Sequence, residues 1–266
     1  MSRVYSTFIG NGPIPLVFIH GLFGQGKNWK SIAKEMSLEA TSMLIDSPNH
    51  GHSEWTEYFD YKEFSETIYA EIISHQKFSN GFAIIGHSMG GKIAMQIALS
   101  HPEKVQLLTV VDISPVSKTL HPNFAKYFSA LLALDLEKLT SRKEADQKLS
   151  TAIPNPIVRS FFLQNLHREK NNNRKWGWRL NIEMLSKSLE LVGGWPEVTG
   201  TYTGPVLWLA GANSDYVKPE HMAAMRSLFP RTTLVKIKDA GHWLHSEQPE
   251  AFVTSLKTYF DLNYSV

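Results

Sequence analysis

The sequence predicts an α/β domain built on a mostly parallel sheet flanked by helices, and two observations carry that expectation. Six short runs rich in Val, Ile and Leu recur, at 16–19, 42–45, 82–85, 107–111, 206–209 and 232–237, each closing on or near a Gly, Asp or Ser turn. Most are followed by a helical spacing of apolar residues. The runs are continuous instead of alternating, which is how strands read when helices cover both faces of a sheet.

At 266 residues, 42% of them hydrophobic and 20% charged, the chain is long enough for one large domain with a sizeable core. No internal repeat or low-complexity tract breaks it. The net charge of +2 argues against a dedicated nucleic-acid binder. The absence of cysteine excludes disulfides, thiolate metal sites and cysteine nucleophiles. With no apolar stretch long enough to span a membrane and no basic, apolar leader, the expectation is a cytoplasmic protein without stable membrane insertion, a monomer or small homo-oligomer.

The elements follow in order. The first run leads into His20-Gly21-Leu22-Phe23-Gly24, where a glycine turn lets the backbone approach a ligand. The second leads into Asp46-Ser47-Pro48-Asn49-His50-Gly51-His52-Ser53. The third ends in Gly86-His87-Ser88-Met89-Gly90-Gly91, followed by a helical pattern over 92–100 that stops before Pro102. The fourth ends at Asp112. Residues 113–203 then interrupt the rhythm with helical patterns at 123–134, 137–149, 157–167 and 181–191, punctuated by Pro154, Pro156 and Asn171-Asn172-Asn173. Gly204-Pro205 marks the return to the sheet, and a last helix spans about 249–260. The expected organisation is a core of residues 1–112 and 204–266, with 113–203 inserted as a helical cap within the same domain. From Lys138 to Arg179 ten Lys or Arg face three Asp or Glu, which reads as a solvated basic face or, more specifically, as a landing zone for an anion.

The chemistry centres on Ser88. A Gly-x-Ser-x-Gly sequence at a strand-to-helix turn presents its serine on a strained backbone, and the helix behind it aims N–H groups at any negative charge that develops there. A serine needs a base to remove its proton and a carboxylate to orient that base. His242, in the glycine turn after the sixth run, is the best-placed base, and activity is expected to fall as its imidazole takes a proton. His245 is expected at the surface or capping the last helix. Asp112 and Asp215 both preserve the order Ser, Asp, His, so chain order leaves the acid open. The backbone N–H groups of Leu22 and Met89 are the expected oxyanion donors.

These four motifs together resemble the α/β-hydrolase superfamily, and Val111-Asp112-Ile113-Ser114-Pro115 with Gly211-Ala212-Asn213-Ser214 resembles its small esterases related to bacterial YbfF and the abhydrolase-11 type. The resemblance implies an eight-stranded sheet, a helical cap after the sixth strand, no cofactor, and hydrolysis of a small-molecule ester. It also implies Asp112 as the acid, supplied after the sixth strand, with Ser214 as a supporting hydrogen-bond donor. The expected function is a serine carboxylesterase acting on small or short-chain acyl esters through an acyl-enzyme. The same residues would also serve a thioesterase or acyltransferase, and the pocket alone a non-catalytic binding module.

Other signals are weaker. Gly21 to Gly26-Lys27 follows a strand as a phosphate loop would, but Asn28 stands where Ser or Thr ligates magnesium. His50 and His52 read as a turn with exposed imidazoles instead of a metal pair. Phe161, Phe162, Trp176 and Trp178 are candidates to line an acyl pocket.

Overall fold

The structure, a computed structural model, describes residues 3–120, 122–168 and 175–264. Strand β1 (Tyr5–Ile9) leads to β2 (Ile14–Ile19), helix α1 (Lys30–Glu35), β3 (Ala40–Asp46), α2 (Tyr61–Ser74), β4 (Phe82–His87), α3 (Met89–Ser100) and β5 (Val105–Val111). The segment that follows holds α4 (Asn123–Leu132), α5 (Arg142–Leu149), α6 (Pro156–Leu163), β6 (Leu166–Arg168), β7 (Trp176–Trp178), α7 (Ile182–Lys187) and α8 (Leu189–Gly193). The core resumes with β8 (Val206–Gly211), α9 (Met222–Leu228), β9 (Thr232–Ile237), α10 (Leu244–Glu247) and α11 (Pro249–Asn263).

Seven strands form the main sheet in the order β1-β3-β2-β4-β5-β8-β9, all parallel except β1, which runs against β3. Successive residues of one strand point to opposite faces. Val17 and Ile19 of β2 pack with α2 and α3 through Phe64, Ile68 and Ile93, whereas Leu16 and Phe18 pack with α1 and α11 through Ile32 and Phe252. Each face therefore needs an apolar residue, which is why the runs do not alternate. Truncating a buried strand residue such as Ile84 to alanine is expected to cost about 2–5 kcal/mol.

The registers Ile19↔Gly86, His87↔Val111 and Val111↔Leu209 align the carboxyl ends of the central strands, so the loops after β2, β4, β5, β8 and β9 gather at one end of the sheet. The cap closes over that end. Asn165 Nδ2 donates to Phe23 O at 2.8 Å and its Oδ1 accepts from Gln25 Nε2 at 2.6 Å, tying the cap to the loop after β2. Gly51 N donates to Arg179 O at 2.7 Å and Asn181 N to Asn49 O at 2.9 Å, stitching the cap's return to the loop after β3.

Four expectations change. The main sheet has seven strands among the described residues, not eight: its edges are β1 and β9, and no described strand pairs outside either. The cap is not wholly helical, because β6 and β7 form a two-stranded antiparallel ribbon. The pattern over 157–167 stops being helical at Leu163, where the buried Asn165 spends its side chain on Phe162 O, Phe23 O and Gln25. The pattern over 181–191 divides at Ser188, whose backbone leaves the helical region and whose hydroxyl donates back to Met184 O at 2.9 Å. Asn171-Asn172-Asn173 and part of the basic segment lie outside the described residues. The described cations there are mostly engaged: Arg159 pairs with Asp146 at 2.6 Å, Lys148 with Glu144 at 2.7 Å, and Arg142 donates to Leu163 O and Leu166 O.

Candidate active site

The turn from β4 to α3 places Ser88 at φ 53° and ψ −118°, a left-handed conformation that costs on the order of 1–3 kcal/mol for a residue with a side chain. Close packing leaves only glycine room at two neighbours. A Cβ on Gly86 would overlap Gly90 O, and one on Gly90 would strike the carbonyls of Ile19 and His20. Ser88 O accepts from Gly91 N at 2.9 Å and Lys92 N at 3.1 Å, so α3 starts directly behind the hydroxyl.

His242 Nε2 lies 3.0 Å from Ser88 Oγ, and its Nδ1 lies 2.7 Å from Asp112 Oδ2. With Nδ1–H donating to the carboxylate, Nε2 is free to take a proton from the serine. Asp112 is wholly buried, with φ 50° at the end of β5. Its Oδ1 accepts from Gly211 N at 3.0 Å, and Oδ2 also accepts from Ser214 Oγ at 2.5 Å. Asp215 points elsewhere: its exposed carboxylate pairs with Lys118 at 2.8 Å. The structure thus brings Asp112, not Asp215, to His242.

Leu22 and Met89 flank Ser88, and neither backbone N–H donates a hydrogen bond among the described residues. Both are free to meet an oxyanion beside the start of α3. The Leu22 loop is held by a Gly24 N to Gly21 O turn at 2.9 Å, by Phe23 at φ 65°, and by the Asn165 bond from the cap.

A chamber of about 300 Å³ opens over Ser88 and His242, walled by Phe23, Phe124, Tyr127, Phe161, Phe162 and Trp243. On the other side of Ser88 a slot of about 20 Å³ is lined by Leu22, Met89, Lys92, Ile113 and Tyr216 among others. Of the cap aromatics expected at an acyl pocket, Phe161 and Phe162 reach the chamber. Trp176 and Trp178 do not line it, because they belong to β7, where Trp176 lies under the Arg168 guanidinium at 4.7 Å.

Two histidine expectations are overturned. His245 stands in the first turn of α10 but is half-buried, not free at the surface: its ring stacks on Trp29 at 4.5 Å and packs 4.8 Å from His87, and desolvation pushes it down to about 3. His50 is not exposed either; it lies wholly buried 5.0 Å from the His20 ring, and burial reinforced by His20 pushes it down to about 3. Of His50 and His52 only His52 is open to solvent, beside Asp46, whose carboxylate also accepts from Gly26 N at 2.7 Å and His52 N at 2.9 Å. The motif after β3 therefore braces loops around the site and has no part in the hydrogen-bonded line.

Three residues that sequence reasoning passed over stand close by. Tyr216 stacks on His242 at 4.0 Å and 19°. His87 Nε2 contacts His242 O at 2.8 Å, which fixes the base loop, and burial holds the His87 imidazole well below its ordinary range. Lys92, four residues after Ser88, is buried in a helix that is otherwise apolar on nearly every side. A lysine inside such a helix is a signal readable from sequence.

Comparison with known proteins identifies the fold. A family model described as alpha/beta hydrolase fold matches residues 14–249. The sn-1-specific diacylglycerol lipase ABHD11 of Danio rerio is 38% identical over 97% of this chain and 82% of its own. Esterase YbfF of Escherichia coli (strain K12) is 26% identical, covering 93% of each chain. A solved marine microorganism esterase superposes with a TM-score of 0.91 at 34% identity, covering 97% of this chain and all of its own.

Proposed function

The chain belongs to the α/β-hydrolase family, among its esterases and lipases, and from that premise we propose that it is a serine carboxylesterase acting on esters of short acyl groups. The observation that carries this reading is the unbroken line from Ser88 Oγ through His242 to Asp112 at the floor of an aromatic chamber. A binding module would have no use for that alignment.

In the proposed reaction Ser88 Oγ attacks the ester carbonyl as its proton passes to His242 Nε2. The carbonyl oxygen, now negative, is met by the N–H groups of Leu22 and Met89, each such donor being worth about 2.7–4 kcal/mol in the transition state. His242 returns the proton to the departing alcohol. Water then attacks the acyl-serine, again with His242 as base, and frees the acid and Ser88. Asp112 keeps His242 in the required tautomer and offsets the imidazolium charge. The roughly 20 Å³ slot favours a short acyl group, while residues 113–203 act as a cap that shapes the chamber. No step calls for a cofactor.

The test is hydrolysis of p-nitrophenyl acetate by wild type and Ser88→Ala, with labelling by a fluorophosphonate probe. The expected result is turnover and labelling by wild type and neither by the variant. Equal turnover by both proteins would remove Ser88 from the mechanism.

A further inference from the structure

The chamber and the slot meet at Ser88, and they differ in what the base can reach. His242 lines the chamber and not the slot. The departing oxygen must receive its proton from His242 Nε2, so the alcohol belongs in the chamber and the acyl group in the slot. The slot itself is narrow, about 20 Å³, and takes only the part of an acyl chain next to the carbonyl. It shares Lys118, Leu120, Phe124 and Gly193 with an outer cleft of about 400 Å³, so the rest of the chain extends towards Gly193 and Gly194 at the mouth of that cleft.

One wall of the slot is the side chain of Lys92. Lys92 is 2% exposed, and its Nζ donates to Gly193 O at 2.7 Å and Gly194 O at 2.6 Å. An ammonium has three hydrogens, and no third acceptor contacts this one among the described residues. No carboxylate among the described residues pairs with it either; the Tyr61 ring lies 5.8 Å away, at the far limit of a cation–π contact. A buried charge without a counter-ion is costly, and burial alone pushes Lys92 down to about 7. The other charged groups at this end are Lys118, already paired with Asp215 at 2.8 Å, and Glu190 on the outer cleft.

We propose, resting on the esterase reading, that the slot and the mouth of the outer cleft at Gly193 form a subsite for an acyl group ending in a carboxylate, with Lys92 as its counter-ion. The substrates would be half-esters of short dicarboxylic acids. A carboxylate reaching Lys92 supplies the missing acceptor and the missing negative charge together, and it favours the protonated amine. A neutral acyl group of the same shape does neither, so selection is electrostatic as well as steric.

The experiment measures kcat/KM for release of benzyl alcohol from monobenzyl succinate and from benzyl 4-methylpentanoate, its neutral isostere, with benzyl acetate as reference, at pH 6.5 and low salt. Wild type is expected to favour the charged ester at least tenfold, and the preference is expected to decline as pH rises to 9 and Lys92 loses its proton. Lys92→Met is expected to lower the charged-to-neutral ratio at least tenfold, whatever its absolute rates. The wild-type ratio and its pH dependence stand even where the variant fails to fold. Turnover of benzyl acetate with no preference for the charged ester overturns the subsite and leaves the esterase reading intact. Failure to turn over any of the three esters overturns both. A variant that keeps the wild-type ratio overturns the role of Lys92.

Discussion

Ser214 Oγ lies 2.5 Å from Asp112 Oδ2, the same oxygen that His242 Nδ1 contacts at 2.7 Å. Two donors therefore converge on one carboxylate oxygen while Gly211 N holds the other. On the proposed mechanism, Asp112→Asn is expected to lower kcat by up to about 10⁴-fold, because an amide favours the wrong imidazole tautomer. Asp215→Asn is expected to stay within about threefold of wild type, since an exposed ion pair contributes little. Steady-state kinetics on p-nitrophenyl acetate check both, and a greater loss at Asp215 would reverse the assignment.

Ser214→Ala removes one donor and leaves the carboxylate its bonds from His242 and Gly211. A hydrogen bond to a charged group contributes about 1.5–3 kcal/mol, of which only the part that orients His242 reaches the transition state. The expectation is a fall in kcat on the order of tenfold with KM little changed. A rate equal to wild type would show that Ser214 plays no part in orienting the acid.

Acid is expected to destabilise the fold through its buried imidazoles. His50 is wholly buried and pushed down to about 3, so the folded chain leaves it neutral where the unfolded chain, with a reference value of about 6.5, already binds a proton. The unfolded state then holds more protons between these two values. Stability is full above about pH 6.5 and is lost progressively down to about pH 3, by up to about 1.4 kcal/mol per pH unit for this residue. His20, His87 and His245 are lowered by burial too and act in the same direction. Urea midpoints at pH 7.5, 6.0 and 5.0 test this; a midpoint that does not move with pH counts against it.

Asn165→Ala should show how firmly the cap holds the oxyanion loop. The change leaves Phe23 O and the Gln25 amide without their buried partner, at about 1–3 kcal/mol. Because Phe23 follows Leu22, the variant is expected to lose kcat as well as stability. Thermal melts and kinetics on the same preparation check the pair, and a destabilised variant with wild-type kcat would separate the cap contact from catalysis.

Gly86→Ala should fail at the level of folding. The added Cβ would overlap the backbone carbonyl of Gly90, which cannot yield without moving the start of α3. The expected cost exceeds about 3 kcal/mol, at the upper end of the overpacking range, read as loss of soluble protein or a lowered urea midpoint. A well-folded variant would show that the turn has slack the packing does not suggest.

Strands β2, β3, β4, β5 and β8 were legible because burial on both faces leaves continuous apolar runs, and β9, at an edge, still shows Leu234, Val235 and Ile237. Strand β1 was not, since an edge strand with Ser6 and Thr7 among half-exposed residues has no such run. The ribbon of β6 and β7 was hidden by its length, three residues on each side. Ser88 and His242 could be nominated from turn chemistry, but nothing local separates Asp112 from Asp215. The separation is tertiary: one carboxylate is enclosed between β5 and β8, and the other stays in solvent beside Lys118. The burial of His50 and the stacking of His245 on Trp29 are likewise products of packing, since a histidine carries no pattern that announces its neighbours.

The acid stands only one residue from the cap, yet the chain between them is clamped. Trp208 Nε1 grips Ile113 O at 2.7 Å, and Ser114 Oγ donates to Tyr216 O at 2.8 Å while His221 Nδ1 lies 2.9 Å from it. These act as a strain relief on a cable: a tug on the cap is taken up by the anchored segment before it reaches the carboxylate. On the proposed mechanism, small shifts of the chain beyond Ser114 would therefore leave the contact between Asp112 and His242 in place.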